Sequence, residues 1–280
     1  MQKRILAVHD ISCVGKCSLT VALPILSAAG LEVAALPTAV LSTHTGGFTG
    51  YTFRDLTEDI TPILNHWRNL DLRIDAIYTG YLGSFEQLRL ISGIIDTYKN
   101  ENCPVLVDPA MADHGKLYAL FTDDFVKGMT KLCAKADIIV PNITEAALML
   151  GKEYKEGPYT KEYIENLLIE LSKLGPEKVV LTGVCFDKDK LGAACFDKKE
   201  NKISYYFEAQ QEGYYHGTGD IFASVLMSAI CNDKSLEEAI KIAVSFTSGS
   251  IRKTYLAEAD PQYGVEFETE LPNLIRLLQK

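Results

Sequence analysis

The sequence predicts an α/β fold of three layers, in which a mostly parallel central sheet is flanked by helices on both faces. Two observations predict it. Short apolar runs show little alternation of apolar and polar residues, as expected of strands that are covered on both faces. The segments between these runs repeat apolar residues at helical spacing, and such strand–helix alternation is typical of a parallel sheet. The predicted strands cover residues 4–8, 32–37, 76–79, 105–108, 138–141, 178–182, 192–196 and 203–207.

Three helices are predicted from apolar residues spaced three or four positions apart. The first of these stripes is followed by Gly30, a residue type that commonly ends a helix. The last two strands, joined by the charged stretch 197–202, form a predicted hairpin at the edge of the sheet. No repeat or linker divides the chain, so a single domain over residues 1–280 is expected. The stripes consist of Leu19, Ala22, Leu23 and Leu26, then of Leu88, Ile91 and Ile95, and then of Ile164, Leu167, Leu168 and Leu171.

Composition and charge argue against several classes of protein. The chain has 280 residues, of which 47% are hydrophobic, and its net charge is −9. This balance suits a globular core and disfavours binding to nucleic acid or to an anionic membrane surface. No apolar stretch reaches the roughly 18 residues of a membrane span. The 7 cysteines are scattered and odd in number, which argues against a disulfide framework and favours a cytoplasmic location.

Polar residues follow most of the predicted strands at the point where each strand ends. Ligands of parallel sheets bind beyond the carboxyl ends of the strands, so this edge is the predicted site. Turn chemistry explains several of these residues equally well. The candidates along the edge are the run His9-Asp10-Ile11-Ser12, the loop 42–47 with His44 and Thr45, Tyr81 after Gly80, Asp108, Asn142, Glu145, Thr182 and Gly183.

A glycine-rich turn, Gly217-Thr218-Gly219-Asp220, opens a segment of helical character. Such a turn leaves bare N–H groups at the positive end of the helix dipole, which favours anion binding. A carboxylate beside an anion site suits a base that takes a proton from a hydroxyl while the N–H groups hold the phosphate being transferred. The competing interpretation is an ordinary helix start with an aspartate near the N-cap, and the motif alone does not decide between the two.

Asn142 and Glu145 also have two interpretations. Their spacing matches a capping box, with Asn142 at the N-cap and Glu145 at the third helical position. In the functional interpretation, Glu145 holds Mg²⁺ through water, and Asp108 is a second carboxylate at the same edge. For Asp108, a turn that precedes Pro109 is the competing explanation.

Together these residues resemble the ribokinase-like superfamily, and within it the pyridoxal and pyridoxamine kinases, over nearly the whole chain. The glycine-rich turn is specific for the superfamily, whereas the loop around His44 and the run Thr79-Gly80-Tyr81 point to vitamin B6 rather than to a sugar. The resemblance implies ATP-dependent phosphorylation of the 5′-hydroxymethyl group of pyridoxal, pyridoxamine or pyridoxine. The matches are Ser12 with Val14-Gly15, Thr43-His44-Thr45-Gly46, Asp108-Pro109 with Asn142 and Glu145, and Gly217-Thr218-Gly219-Asp220.

Carried over by position, the resemblance implies a role for each site residue. Asp220 would be the base, and the backbone of Gly217, Thr218 and Gly219 would hold the γ-phosphate. The residues implied to bind the pyridine substrate are Ser12, His44, Thr45 and Tyr81. The residues implied to bind ATP are Asp108, Tyr118, Asn142, Glu145, Thr182 and Gly183, with Asp108 and Glu145 organising Mg²⁺.

The resemblance further implies a homodimer, a monovalent cation such as K⁺, and a mobile lid over residues 110–120. The sequence departs from the family in this lid, where Ala110-Met111-Ala112-Asp113-His114-Gly115 replaces a glycine-rich stretch, and near Thr182. The run Tyr214-Tyr215-His216 replaces a Thr-rich approach to the anion hole. Two alternatives stay open: a kinase for hydroxymethylpyrimidine or a sugar, and a non-catalytic protein that binds B6.

Overall fold

The computed structural model describes residues 2–70, 72–119 and 121–279, so Leu120 at the end of the predicted lid lies outside the described residues. The strands are β1 (Arg4–Ser12), β2 (Glu32–Leu41), β3 (Phe53–Asp55), β4 (Ala76–Thr79), β5 (Val105–Val107), β6 (Ala112–Asp113), β7 (Lys116–Leu117), β8 (Ile138–Ile139), β9 (Lys178–Val184), β10 (Lys190–Asp197) and β11 (Lys202–Ala209). The helices are α1 (Leu19–Ala28), α2 (Thr57–Arg68), α3 (Phe85–Tyr98), α4 (Asp123–Cys133), α5 (Ile143–Met149), α6 (Lys161–Ser172), α7 (Thr218–Cys231), α8 (Leu236–Leu256) and α9 (Leu271–Gln279).

Nine of the strands form one sheet in the order β11-β10-β9-β8-β5-β4-β1-β2-β3. The neighbouring pairs from β9 through to β2 are parallel. Antiparallel pairing is confined to β3 at one edge and to β10 and β11 at the other. The predicted mostly parallel sheet with an edge hairpin is therefore confirmed. A separate hairpin of β6 and β7 lies inside the predicted lid, where no strand was expected.

Helices cover both faces of the sheet, which confirms the three predicted layers. In β1, Leu6 and Val8 belong to one buried core, which also contains apolar residues of α2 to α6. Ile5 and Ala7 belong to a second core on the opposite face, together with α1, α7, α8 and α9. Because successive residues of a strand point to opposite faces, a strand that is covered on both sides is apolar throughout.

Several strands end at other positions than predicted. β1 continues to Ser12, which pairs with Leu41 of the extended β2. Ser12 therefore ends a strand rather than lying in a loop. In contrast, β5 ends at Val107 and β8 at Ile139, so Asp108 and Pro141 follow the strands instead of closing them.

The first helical stripe was wrong at one position. Leu23 is 42% exposed, whereas Leu19, Ala22 and Leu26 are buried. The buried face of α1 is centred on the other three residues, so Leu23 lies on its solvent side. The two other stripes are buried throughout. Gly30 follows the C-cap of α1 with a φ of 81°, the left-handed conformation that was expected for a helix-ending glycine.

Two expectations from composition can be compared with the structure. Over the described ranges of the chain, no helix is both long and apolar enough to cross a membrane. All 7 cysteines are free thiols, and Cys103, Cys133, Cys195 and Cys231 are buried. Reduced cysteines in such positions pack as small apolar side chains.

Candidate active site

The tip of α7 has the geometry of an anion-binding element. Gly217 is the N-cap, with a φ of 74°, and the first bond inside the helix runs from the N–H of Ile221 to the carbonyl oxygen of Gly217 over 3.0 Å. The backbone N–H groups of Thr218, Gly219 and Asp220 have no helical acceptor, because the carbonyl groups four residues earlier lie before the helix begins. They lie at the positive end of the helix dipole, where a phosphate is stabilised.

The two glycines of this turn have different functions in the structure. A Cβ atom on Gly217 would collide with the carbonyl oxygen of Lys16, and its left-handed φ also favours glycine. A Cβ atom on Gly219 would meet no atom within 4 Å. Gly217 therefore shapes the turn, whereas Gly219 borders the open space in front of the helix tip, where a ligand can approach the backbone.

Asp220 is the third residue of α7 and is only partly exposed. Its Oδ2 atom accepts a 2.9 Å hydrogen bond from the backbone N–H of Ser18. Burial raises the pKa of Asp220 to about 7; the bond from Ser18 opposes this rise and the charge of Asp10 adds to it. A carboxylate with a pKa near neutrality suits proton transfer at neutral pH.

Ser18 also connects Asp220 to the carboxyl group of Asp10. The chain after β1 folds back, so that Ser18 forms an isolated antiparallel bridge with Ile11. The Ser12 hydroxyl donates to Oδ2 of Asp10 over 3.3 Å. Burial raises the pKa of Asp10, and hydrogen bonds from the side chains of Ser18 and Ser12 lower it. Sequence reasoning placed Asp10 at this edge, two positions before the candidate Ser12, but gave no role to Asp10 or to Ser18.

His44 lies in the predicted substrate loop, but both of its ring nitrogens are occupied. Nδ1 is 3.1 Å from the backbone N–H of Gly46 and accepts its hydrogen bond. Nε2 is 2.8 Å from the carbonyl oxygen of Gln262, so it must carry the proton. His44 is therefore neutral, and burial lowers its pKa. Only its ring face and edge remain for contact with a ligand.

The other two residues predicted to bind the substrate, Thr45 and Tyr81, differ in burial. Thr45 is exposed on the same loop, and Tyr81 is half-buried after β4. Tyr81 packs beside Phe121 with 5.5 Å between ring centroids. Burial raises its pKa to about 12, and the charge of Asp10 contributes. The structure thus brings Tyr81 and Asp10 to the same end of the site, and the substrate roles stay predictions.

Glu145 forms the capping box that its spacing predicted. Oε2 accepts from the N–H of Asn142 over 3.0 Å, and Oδ1 of Asn142 accepts from the N–H of Glu145 over 2.9 Å. Oε1 accepts two further bonds, from the N–H groups of Met111 at 2.8 Å and Ala112 at 3.4 Å. Glu145 therefore also fixes the start of the chain segment that follows β5.

Asp108, Glu145 and Asp220 form a group of carboxyls at the edge of the sheet. Burial, followed by the charges of Glu145 and Asp220, raises the pKa of Asp108 well above its usual range. Burial raises the pKa of Glu145 to about 7. Oδ1 of Asp108 accepts from the N–H of Ala110 over 3.2 Å, so the predicted turn before Pro109 is present too. Within residues 2–70, 72–119 and 121–279, no lysine or arginine forms an ion pair with these three groups.

This donor set fits Mg²⁺, which prefers a few carboxylates combined with water and phosphate oxygens. A divalent cation would offset both the burial and the repulsion from Glu145 and Asp220 that raise the pKa of Asp108. Oδ1 of Asp108 takes one backbone bond, whereas the two oxygens of Glu145 take three. Asp108 is therefore suited to contact the ion, and Glu145 to hold one of its waters. The described side chains form no complete metal cluster, so phosphate and water would supply the other ligands.

The hairpin of β6 and β7 is attached to both sides of the cleft. The side-chain amide of Asn142 donates to the carbonyl oxygen of Ala112 over 2.8 Å. On the opposite side, the Tyr214 hydroxyl donates to Oδ2 of Asp113 over 2.9 Å. The predicted lid is therefore a structured hairpin between α5 and the loop that leads to Gly217, and its mobility stays a prediction.

The remaining residues predicted to bind nucleotide lie at the same edge of the sheet. Thr182 forms an isolated parallel bridge with Asn142. Gly183 has a φ of 71°, and a Cβ atom there would meet nothing within 4 Å. The backbone N–H of Tyr118 donates to the carbonyl oxygen of Met111 over 2.9 Å, and desolvation followed by the charges of Glu145 and Asp113 raises the pKa of its hydroxyl. The structure collects these residues, and their contacts with ATP stay predictions.

The chain matches known proteins over most of its length. The sequence profile of the phosphomethylpyrimidine kinase family matches residues 26–263. The chain belongs to this family. It is therefore an ATP-dependent small-molecule kinase with the ribokinase-like fold.

Three relatives show how far the similarity of this kinase extends. A protein from Bacteroides thetaiotaomicron, provisionally named a phosphomethylpyrimidine kinase and crystallised with pyridoxal, is 38% identical with a TM-score of 0.93, over 98% of this chain and 96% of that one. The pyridoxal kinase from Lactobacillus plantarum is 31% identical with a TM-score of 0.90, over 99% of this chain and 98% of that one. The pyridoxal kinase PdxY of Actinobacillus pleuropneumoniae is 30% identical over 76% of this chain and 75% of its own length.

Proposed function

We propose that this kinase transfers the γ-phosphate of ATP to the 5′-hydroxymethyl group of pyridoxal, pyridoxamine or pyridoxine. The observation that carries the proposal is the position of Asp220 at the tip of α7, with its pKa raised to about 7 beside helix N–H groups that have no helical partner. A hydroxyl bound against this carboxylate would lie next to a phosphate held by those N–H groups, so that its oxygen could attack the γ-phosphorus, give its proton to Asp220 and release ADP. The arrangement serves a primary alcohol as acceptor.

Catalysis would depend more on position than on proton removal. Phosphoryl transfer needs the acceptor oxygen in line with the γ-phosphorus and needs the charge on the phosphate to be neutralised. Asp220 would orient the hydroxyl and accept its proton. The N–H groups of Thr218 and Gly219 would hold the phosphate oxygens during transfer.

Mg²⁺, when bound, would neutralise phosphate charge, with Asp108 contacting the ion and Glu145 holding its water. Tyr118, Asn142, Thr182 and Gly183 lie along the same edge of the sheet, where the nucleotide would extend from the helix tip. The resemblance supports these assignments.

Two relatives support a pyridine as the acceptor. The Bacteroides thetaiotaomicron protein was crystallised with pyridoxal, and the Lactobacillus plantarum protein is a pyridoxal kinase. In this chain, Ser12, Thr45 and Tyr81 would contact the ring and its polar substituents. The ring of Tyr81, packed beside Phe121, offers a flat apolar surface for this purpose.

A second candidate acceptor is hydroxymethylpyrimidine, because the family profile that matches the chain is that of phosphomethylpyrimidine kinase. A panel of pyridoxal, pyridoxamine, pyridoxine, hydroxymethylpyrimidine and ribose, with ATP consumption as readout, separates the candidates. The proposal predicts the highest kcat/KM for a B6 vitamer. A higher value for hydroxymethylpyrimidine or ribose would contradict it, and binding without turnover of any compound would indicate a non-catalytic protein.

From the resemblance we also propose a cytoplasmic homodimer that uses a monovalent cation such as K⁺. Light scattering on the purified protein tests the dimer. Exchange of K⁺ for a bulky organic cation at constant ionic strength tests the ion, and the expected result is a loss of activity that K⁺ restores.

A further inference from the structure

Asp10 lies at the position in the sheet where a ligand is expected. β2 pairs with one side of β1 and β4 with the other, so the strand order reverses at β1. In open α/β sheets, the crevice at the carboxyl end of such a strand is the usual ligand site. Asp10 lies near the carboxyl end of β1, between His9 and Ile11, where the register with β2 shifts.

The carboxyl group of Asp10 is buried without a positive partner. Only 5% of the residue is exposed, and no lysine or arginine in the described part of the chain forms an ion pair with it. Its charge acts on four titratable groups, those of Cys17, His44, Tyr81 and Asp220. The first three are neutral near pH 7, and the fourth is an acid. The hydroxyl of Ser12 donates to Asp10, but no positive charge compensates the buried carboxylate.

We propose that Asp10 accepts a hydrogen bond from a positively charged N–H donor of the substrate, and that it thereby selects for substrates that carry one. The inference rests on the proposed function. Two groups of the B6 vitamers have this chemistry. The protonated ring nitrogen is common to all three vitamers, whereas the ammonium of the aminomethyl group occurs only in pyridoxamine.

The position of Ser18 makes this a recognition at two points. Its backbone N–H binds Asp220 over 2.9 Å, and its side chain lies close enough to Asp10 to lower the pKa of that carboxyl group. The two carboxyl groups therefore lie beside one residue. A substrate whose N–H donor binds Asp10 would have its hydroxyl directed to Asp220 from a fixed distance, which is the alignment that phosphoryl transfer requires.

Steady-state kinetics of Asp10→Asn with pyridoxal, pyridoxine and pyridoxamine test the inference. The variant keeps the size of the side chain and removes its charge. We expect KM for the vitamer to rise about 10- to 100-fold, the loss expected for a hydrogen bond between charged groups, while KM for ATP stays within about 2-fold. A benzene analogue with C–H in place of the ring nitrogen serves as a probe. The wild-type enzyme should discriminate against it, and Asp10→Asn should not.

The pattern across substrates identifies the donor. An equal rise of KM for all three vitamers supports the ring N–H, and a rise for pyridoxamine alone supports the aminomethyl group. Unchanged KM for every vitamer would overturn the inference even though the wild-type enzyme is active, whereas a wild-type enzyme that phosphorylates no vitamer would overturn the proposed function itself. Asp59→Asn, an exposed change on α2, is the matched control. Asp10→Ser, a second neutral variant, must reproduce the result, and thermal unfolding checks that each variant is folded.

Discussion

The backbone N–H of Ser18 donates a 2.9 Å hydrogen bond to Oδ2 of Asp220, a residue 202 positions further along the chain. Ser18 has a φ of 55°, a conformation that favours glycine, and it is the N-cap of α1. The neighbouring carbonyl of Lys16 lies against Gly217. The segment before α1 therefore contacts both Asp220 and the turn that opens α7, and it fixes how the two helix tips face each other.

Two alanine substitutions in the glycine-rich turn should have opposite effects on stability. Gly217→Ala introduces a methyl group against the carbonyl oxygen of Lys16 at a φ of 74°, so we expect a loss of stability of about 2–4 kcal/mol together with loss of activity. Gly219→Ala meets no protein atom within 4 Å. We expect it to fold with unchanged or slightly higher stability and to lose about 10- to 100-fold in kcat/KM, because its methyl group borders the space for the phosphate.

Chemical denaturation and steady-state kinetics of the two variants, measured side by side, check this pair. Each variant is the control for the other, since both place the same methyl group within three residues. Full activity of Gly219→Ala would show that the phosphate does not approach this part of the helix tip.

The stability of the protein should depend on pH through Asp220. Its pKa rises from 3.8 in the unfolded chain to about 7 in the folded protein, mainly because of burial. The folded state therefore binds more protons than the unfolded state between these pH values. The stabilising contribution of the protonated Asp220 to the free energy of unfolding is complete below pH 4 and is lost as the pH rises through about 7. Asp220→Asn removes the buried charge. We expect this variant to gain on the order of 2–4 kcal/mol relative to wild type on going from pH 4 to pH 8.

Urea unfolding of both proteins at several pH values measures this difference. Asp10, Asp108 and Glu145 titrate in both proteins, so the comparison isolates Asp220 to first order. A stability difference that is the same at every pH would mean that the pKa of the Asp220 carboxyl group is not raised in the folded protein.

Glu145→Gln should separate two contributions of this residue. Oε1 of Glu145 accepts hydrogen bonds from the N–H groups of Met111 and Ala112, and Oε2 accepts one from the N–H of Asn142. In glutamine, the amide nitrogen would replace one of these oxygens and would face an N–H donor. We expect a loss of about 1–3 kcal/mol of stability. We also expect a raised Mg²⁺ requirement for activity, because one negative charge is removed near the phosphates.

A Mg²⁺ titration of activity, at a temperature where the variant is fully folded, checks the second effect. Thr160→Ala removes the N-cap hydrogen bond of α6. It is a control that loses stability in a comparable way, at a helix start that does not belong to the group of Asp108, Glu145 and Asp220. An unchanged Mg²⁺ titration in Glu145→Gln would leave the residue with its capping role alone.

The sequence predicted the layers and the edge of the sheet that forms the site, because these follow from side-chain type. Apolar runs mark strands buried on both faces; Asp108 and Glu145 follow such runs, and the glycine-rich turn marks Asp220. Ser18 could not be predicted in this way. Its contribution to the site comes from a backbone N–H and a positive φ, and neither depends on its side chain.

Contacts that depend on the path of a loop were equally hidden. The bonds from Met111 and Ala112 to Glu145 require the segment after β5 to turn back onto α5. Asp10 was placed at the edge of the sheet but was given no role, for a different reason. Its type and position at the end of β1 were visible, but its burial without a positive partner is a property of the assembled site.

The most direct test of the proposed kinase is the rate of pyridoxal 5′-phosphate formation by Asp220→Asn at saturating ATP and pyridoxal. The variant keeps the shape of the side chain at the tip of α7, and its thermal unfolding should show a folded protein. Loss of the base predicts a kcat roughly 10²- to 10⁴-fold below wild type. A folded variant with near-normal kcat would contradict the assignment of Asp220 as the base.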